Sequence, residues 1–176
     1  MKIKNILISQ PTPNGGSPYV EIKDKFNLNI DFVPFIRVEG LSAKDFRLQR
    51  IALADHTAVV FTTRSAIDSF FHLCEEMRVT IPETLKYFCM TEAVAFYLQK
   101  YIVYRKRKVF FGKGNIPSLI DAIVPKHKNE TFLLTLADCY NPEFPQAFEK
   151  AGLKYTKAIL THTLMEDLSF LELKKY

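Results

Sequence analysis

The residues best suited to chemistry lie where an apolar run gives way to hydroxyls and a cation: Val59, Val60 and Phe61 are followed by Thr62, Thr63 and Arg64. Helical spacing then takes over with Ile67, Phe70, Phe71, Cys74 and Met77. Hydroxyls at such a junction cap the helix, because a Thr or Ser side chain accepts from an amide that has no intrahelical partner. The same place suits an anion, since helix-start amides, hydroxyls and a guanidinium converge on one spot. Met90-Thr91-Glu92 repeats the pattern: Thr91 and Glu92 can cap and charge the helix start, the role that best suits Glu92, and Thr91 is also placed to face a ligand. Asp138, Tyr140 and Asn141 stand at a third junction, where Asp138 reads as a cap or turn residue.

Other chemistries find less support. Cys74, Cys89 and Cys139 are widely spaced, with no CxxC and no nearby His pair, so three buried reduced thiols and no metal site are expected. His56, His72 and His127 have no triad or ligand spacing and read as surface or packing residues. The run Arg105-Lys106-Arg107-Lys108 precedes aromatics and glycines, a pattern compatible with nucleic acid. A single run of cations more often marks a solvated helix end, and GKGN lacks the Lys-Ser/Thr of a phosphate loop. No nucleic-acid partner is expected.

Positioning these junctions requires alternating strands and helices. Strands are expected at 3–8, 28–35, 57–61, 85–90, 108–111, 131–136 and 155–162. Ser17 caps a helix with Pro18 in its first position and Tyr19, Ile22 and Phe26 on one face. Ser42 caps a second, carrying Phe46 and Leu48. Further helices are expected at 65–77, 92–102, 116–124 and 143–151. In the third of these Ile116, Leu119, Ile120 and Ile123 point inward, and Gly152 ends the last. Such alternation implies an α/β fold of parallel strands with helices on both faces, which puts the junctions at one sheet edge.

Residues 1–36 form a β-α-β unit too small to bury its own apolar faces. At the other end Leu168, Leu171 and Leu173 suggest structure about to begin. A discontinuous domain accounts for both, giving segments 1–36, 37–163 and 164–176, the middle one a complete α/β domain. With 48% hydrophobic and 24% charged residues the composition is that of a globular core. No apolar run approaches the ~20 residues of a membrane span, and MKIKNILIS is too short for a signal peptide, so a soluble cytoplasmic protein without a membrane partner is expected. The net charge of +5 favours an acidic partner, nucleic acid and polycarboxylate being equal on charge alone.

The order of segments ILISQP, DFVPFIRVEGLSAKDF, HTAVVFTTRSAIDSFF, KYFCMTEAVA and AGLKYTKAILTHT resembles uroporphyrinogen-III synthase in the form found in Bacteroidetes-type bacteria. The resemblance implies two parallel-sheet α/β domains joined by a two-stranded hinge around a cleft, the first discontinuous and, at this length, incomplete. It implies a hydro-lyase of haem and tetrapyrrole biosynthesis that closes hydroxymethylbilane with inversion of ring D and loss of water. It implies no cofactor and no metal, a polycarboxylate substrate, and a monomer when full length. Ser9 and Gln10 stand where the family has a hydroxyl and an arginine, and Thr161 where it has a tyrosine suited to protonating the leaving hydroxyl. Threonine is a poor acid, so a bound water or His162 is an alternative donor. A noncatalytic ligand-binding or receiver-like module is the alternative of another class, although the chain has no acidic pair at a strand end; an inactive synthase fragment is a third reading.

Overall fold

Ala58, Val59, Val60 and Phe61 are each at most 1% exposed. A strand buried on both faces sits mid-sheet between helical layers, and it organises the larger part of this molecule. The computed structural model describes residues 3–13 and 17–172; Leu173 of the expected terminal segment lies outside the described residues. The chain divides into two units, Met1–Val38 with Thr163–Tyr176, and Glu39–His162.

The smaller unit holds β1 (Asn5–Ile8), α1 (Pro18–Phe26) and β2 (Asn29–Phe32), with β1 and β2 paired in parallel. Ser17 caps α1, its hydroxyl accepting from the Tyr19 amide at 3.3 Å, and Asn27 ends it in the left-handed region at φ 51°. Tyr19 meets Phe32 edge to face at 5.5 Å, while Phe26 is 61% exposed and no α1 residue is fully buried.

The larger unit is entered through β3 (Ile36–Gly40) and left through β8 (Lys154–Met165). Between them run α2 (Ala43–Arg47), β4 (Ala58–Phe61), α3 (Arg64–Glu76), β5 (Lys86–Cys89) and α4 (Glu92–Tyr97). Next come β6 (Val109–Phe111), α5 (Ile116–His127), β7 (Thr131–Ala137) and α6 (Glu143–Lys150), with 3-10 turns at Leu53–Asp55 and Leu98–Lys100. The strands lie in the order β3-β8-β7-β4-β5-β6, and the pairs β8/β7, β7/β4, β4/β5 and β5/β6 are parallel.

From β4 the chain builds outward through α3 and α4 to β5 and β6. It then crosses to the other side of β4 through α5, and α6 carries it on to β8. Alternate residues of each strand feed two cores. Val59, Phe61, Tyr87, Cys89 and Leu133 pack with α2, α3 and α4, whereas Ala58, Val60, Phe88, Phe132 and Leu134 pack with α5 and α6. Leu119 and Ile123 of α5 are fully buried, and Ile116 and Ile120 flank them.

Four details depart from expectation for identifiable reasons. Helix α5 continues past Val124 to His127, because Pro125 stands in the last turn where its missing N–H removes only one helical bond. The helix expected to reach residue 102 ends at Tyr97 and tightens into the Leu98–Lys100 turn. Leu48 falls at the end of the short α2 and is 80% exposed, leaving Phe46 as that helix's core residue. Cys74 and Cys89 are buried thiols, but Cys139 is exposed on the loop after β7. Burial pushes both Cys74 and Cys89 up to about 12, so they stay protonated packing groups. No helix among the described residues is long and apolar enough to cross a membrane.

Phe88 is 0% exposed, stacked on Phe110 at 4.9 Å and edge to face with Phe132 at 5.4 Å. Phe88→Ala is expected to lower unfolding free energy by about 3–5 kcal/mol in equilibrium urea denaturation. A loss below about 1 kcal/mol would contradict its place at the centre of that core.

Candidate functional site

Every parallel strand of the larger unit delivers its following loop to the carboxyl edge of the sheet. Three successive junctions there are capped alike. Thr63, in extended conformation at φ −139° and ψ 163°, accepts from the Ala66 amide at 3.2 Å. Thr91, at φ −134° and ψ 160°, accepts from the Val94 amide at 3.2 Å. Asn115, at φ −135° and ψ 159°, accepts from the Ser118 amide at 2.9 Å. A capping hydroxyl uses a lone pair and keeps its proton to donate. Thr63 and Ser65 share a hydrogen bond at 3.0 Å, so that pair of hydroxyls has one proton left. Thr62, directly after β4, is half-buried.

The loop after β6 is pulled onto the same edge. A Cβ on Gly112 would lie 2.9 Å from the Leu119 amide nitrogen and from Ser118 Oγ, so only glycine admits this approach. The Lys113 amide donates to Ser118 Oγ at 2.7 Å, and the Gly114 amide donates to the Met90 carbonyl at 2.9 Å. Lys113 is thereby an exposed cation on the edge that carries Thr91. Asn115 and Lys113 were not singled out in the sequence; the readable signal was an Asn three residues before Ser118 at a helix start with Pro117.

On the other side of β4, the Asp138 carboxylate accepts from the Cys139 amide at 2.9 Å, the turn role expected of it. The Asp138 amide donates to the Thr161 carbonyl at 3.0 Å, where a register slip after Leu136 pairs Ala137 with Thr161. Thr161 is 6% exposed and lies in the same unit as Thr62, Thr63, Arg64 and Thr91. The crossovers leave β4 and β7 toward opposite faces, and the carboxyl ends of such a pair are the usual ligand position in open α/β sheets. Ser9 and Gln10 belong to the smaller unit: Ser9 Oγ accepts from the Phe35 amide at 3.2 Å, and the Gln10 amide donates to the Ile8 carbonyl at 2.9 Å.

The surroundings of Arg64 were not legible in advance. Asp68 follows Arg64 by one helical turn, a spacing that favours an ion pair. Instead the Asp68 carboxylate accepts from Tyr97 at 2.9 Å on both oxygens, from Lys100 Nζ at 2.9 Å and from the Tyr101 hydroxyl. Arg64 lies over the Tyr97 ring, 5.5 Å from its centroid, and pairs with no carboxylate among the described residues. Its charge is therefore held in place by an aromatic face and remains open to an anion. Burial pushes the Asp68 carboxyl up, but hydrogen bonds from Tyr101, Lys100 and Tyr97 outweigh it and hold the group below the usual aspartate value. Among the described residues no cluster of three or more His, Cys, Asp and Glu is placed to hold a metal ion.

Because the folded state lowers the Asp68 pKa, its contribution to stability is complete above the ordinary value of 3.8 and is lost as pH falls through the folded value. Asp68→Asn is expected to be less stable than the parent at neutral pH and to close that gap as acid is added, read from urea midpoints against pH. Parallel curves for the two proteins would contradict the hydrogen-bond account of Asp68.

A family model described as uroporphyrinogen-III synthase HemD matches residues 18–172. A solved uroporphyrinogen III synthase mutant from Thermus thermophilus is 14% identical with a TM-score of 0.69, covering 98% of this chain and 67% of its own. The wild-type protein of that organism gives 14% identity and a TM-score of 0.62, covering 98% of this chain and 66% of its own. Uroporphyrinogen-III synthetase from Helicobacter pylori gives 11% and 0.56, again covering 98% of this chain and 66% of its own. The chain thus spans about two-thirds of the length of these structures, which share its fold. No curated protein sequence matches. The family match covers most of the chain, and the chain belongs to the uroporphyrinogen-III synthase HemD family.

Proposed function

We propose that the chain carries out the reaction of its family, closing hydroxymethylbilane to uroporphyrinogen III with inversion of ring D and loss of water. The observation that carries this reading is the family match over residues 18–172. The carboxyl edge of the larger unit supports it with donors suited to acetate and propionate arms.

In this reading Thr62, Thr63 and Thr91 donate hydroxyl protons to carboxylates, and Arg64, stacked on Tyr97, supplies the cation. Ser9 and Gln10 add neutral hydrogen bonds from the smaller unit. Departure of the substrate's terminal hydroxyl, with one proton, as water leaves an azafulvene cation. The substituted carbon of ring D attacks it to give a spiro intermediate, which opens and recloses with the ring inverted, and a proton is released to solvent. The sequence is redox-neutral and demands above all that a flexible chain be folded into one geometry. Uncatalysed closure gives the uninverted isomer, so binding must favour one transition state over an accessible competitor. Thr161 hydrogen-bonds the departing hydroxyl or the water that protonates it, since its own hydroxyl is too weak an acid to do so alone. The enzyme would work as a cytoplasmic monomer without a nucleic-acid partner, in a compartment that keeps Cys74, Cys89 and Cys139 reduced.

The test is to give the purified chain freshly generated hydroxymethylbilane, oxidise the product and separate the uroporphyrin isomers by chromatography. Excess type III is expected, and type I alone would contradict the proposal. Arg64→Ala is expected to reduce kcat/KM for the type III product by about tenfold or more, the loss of one charged hydrogen bond. An unchanged value would remove Arg64 from the site.

A further inference from the structure

The opposite edge of the larger sheet carries a feature that the proposed reaction leaves unused. Residues 81–85 lead into β5 and residues 105–108 lead into β6, and between these approaches opens a cavity of about 360 Å³. Its walls are aromatic and aliphatic. Phe71 and Tyr101 stack with centroids 4.4 Å apart and planes 2° from parallel, and Ile81 and Ile102 continue the lining.

Tyr87 lies on the wall and is 4% exposed, its ring stacked on Phe61 at 6.5 Å. Its hydroxyl makes no hydrogen bond among the described residues, yet it is not sealed inside the protein. A polar group so deeply set is stabilised by any acceptor that reaches it. Burial, with a smaller contribution from Cys74, pushes the phenol up to about 12, so it is a neutral donor at physiological pH.

Charge gathers beside this donor. Arg105 and Lys108, the two ends of the basic run, both line the cavity, against Glu83 as its one carboxylate. Lys108 Nζ donates to the Glu83 carbonyl, whereas Arg105 is exposed and pairs with no carboxylate among the described residues. The RKRK run thus has a place in the fold: its end residues supply cations to an aromatic pocket.

We propose that this cavity is a ligand site for a single aromatic ring system, of one ring or two fused rings, bearing one anionic arm, a carboxylate or a phosphate. The ring lies against Phe71 and Tyr101, the arm meets Arg105, and the Tyr87 hydroxyl donates to an acceptor on the ligand. The volume stands at the small end of the ~300–1,000 Å³ range of ligand pockets, enough for one substituted ring system and too little for four linked rings. The site is therefore separate from the proposed cyclisation, and either assignment can fail without the other.

The test is an NMR titration of the full chain with indole-3-acetate, phenyl phosphate and uncharged indole, each up to millimolar concentration. Saturable shifts at Ile81, Ile102 and Val103 are expected with at least one of the two anions, the tighter of them naming the arm. Arg105→Ala, at an exposed position, should weaken that anion by about tenfold and leave indole unchanged, and Tyr87→Phe, which keeps the ring, should weaken it several-fold. The proposal is overturned by an absence of shifts with both anions, by shifts confined to the loops after β4 and β5, or by an affinity that Arg105→Ala leaves unaltered.

Discussion

The parallel pairing of β4 with β7 is the constraint from which the rest of the larger unit follows. Ala58, Val59 and Val60 register against Phe132, Leu133 and Leu134, and all six are at most 1% exposed. Thr135, fully buried, donates its hydroxyl to the Val60 carbonyl at 2.6 Å and so satisfies a polar side chain in the middle of the sheet. Two parallel neighbours that are not consecutive in sequence require crossovers on opposite faces. The loops after β4 and β7 then diverge, and Thr62 and Asp138 are left at the point of divergence.

That geometry explains why the residues that cap the helices are also the ones placed to serve a ligand in the proposed reaction. An N-cap hydroxyl occupies a fixed position at a strand-to-helix junction because it must accept from the helix, and its proton is then aimed away from the helix. Thr63 and Thr91 are fixed by capping before any ligand arrives, which lowers the ordering cost of binding. Arg64 gains similar preorganisation from the Tyr97 face. Asp68, engaged by Tyr97, Tyr101 and Lys100, is withheld from the arginine one turn before it. The two edges of the sheet differ accordingly, one rich in hydroxyls and helix starts, the other in stacked aromatics and cations.

Much of this was legible in the sequence wherever a local rule and tertiary packing agree. Ser17 with Pro18, Ser42, Thr63 and Thr91 are all caps, and Gly152 ends α6 at φ 66°. The apolar runs at 57–61, 85–90 and 131–136 marked the central strands. β3 was missed although Ile36, Arg37, Val38 and Glu39 alternate, because all five of its residues are exposed and the alternation marks no buried face. Nor does any pattern disclose Gln49, whose side-chain amide takes both backbone bonds of Ile159, at 2.8 and 2.9 Å, as a neighbouring strand would. Likewise the Arg64 and Asp68 spacing does not disclose their partners, because two tyrosines and a lysine from α4 and its following turn take the Asp68 carboxylate. The cavity beside Tyr87 was hidden for a similar reason: it joins three separate stretches, of which only the basic run 105–108 stands out in the sequence, and that run alone does not disclose the aromatic walls it meets.

The most direct measurement is to follow the backbone amides of Thr62, Arg64 and Thr91 by NMR while adding uroporphyrin III as a stable polycarboxylate. Saturable shifts at these junctions, weakened by Arg64→Ala, are expected if the carboxyl edge receives the acid arms of a tetrapyrrole. Unmoved junction amides, with binding detected elsewhere or not at all, would contradict that placement of the site.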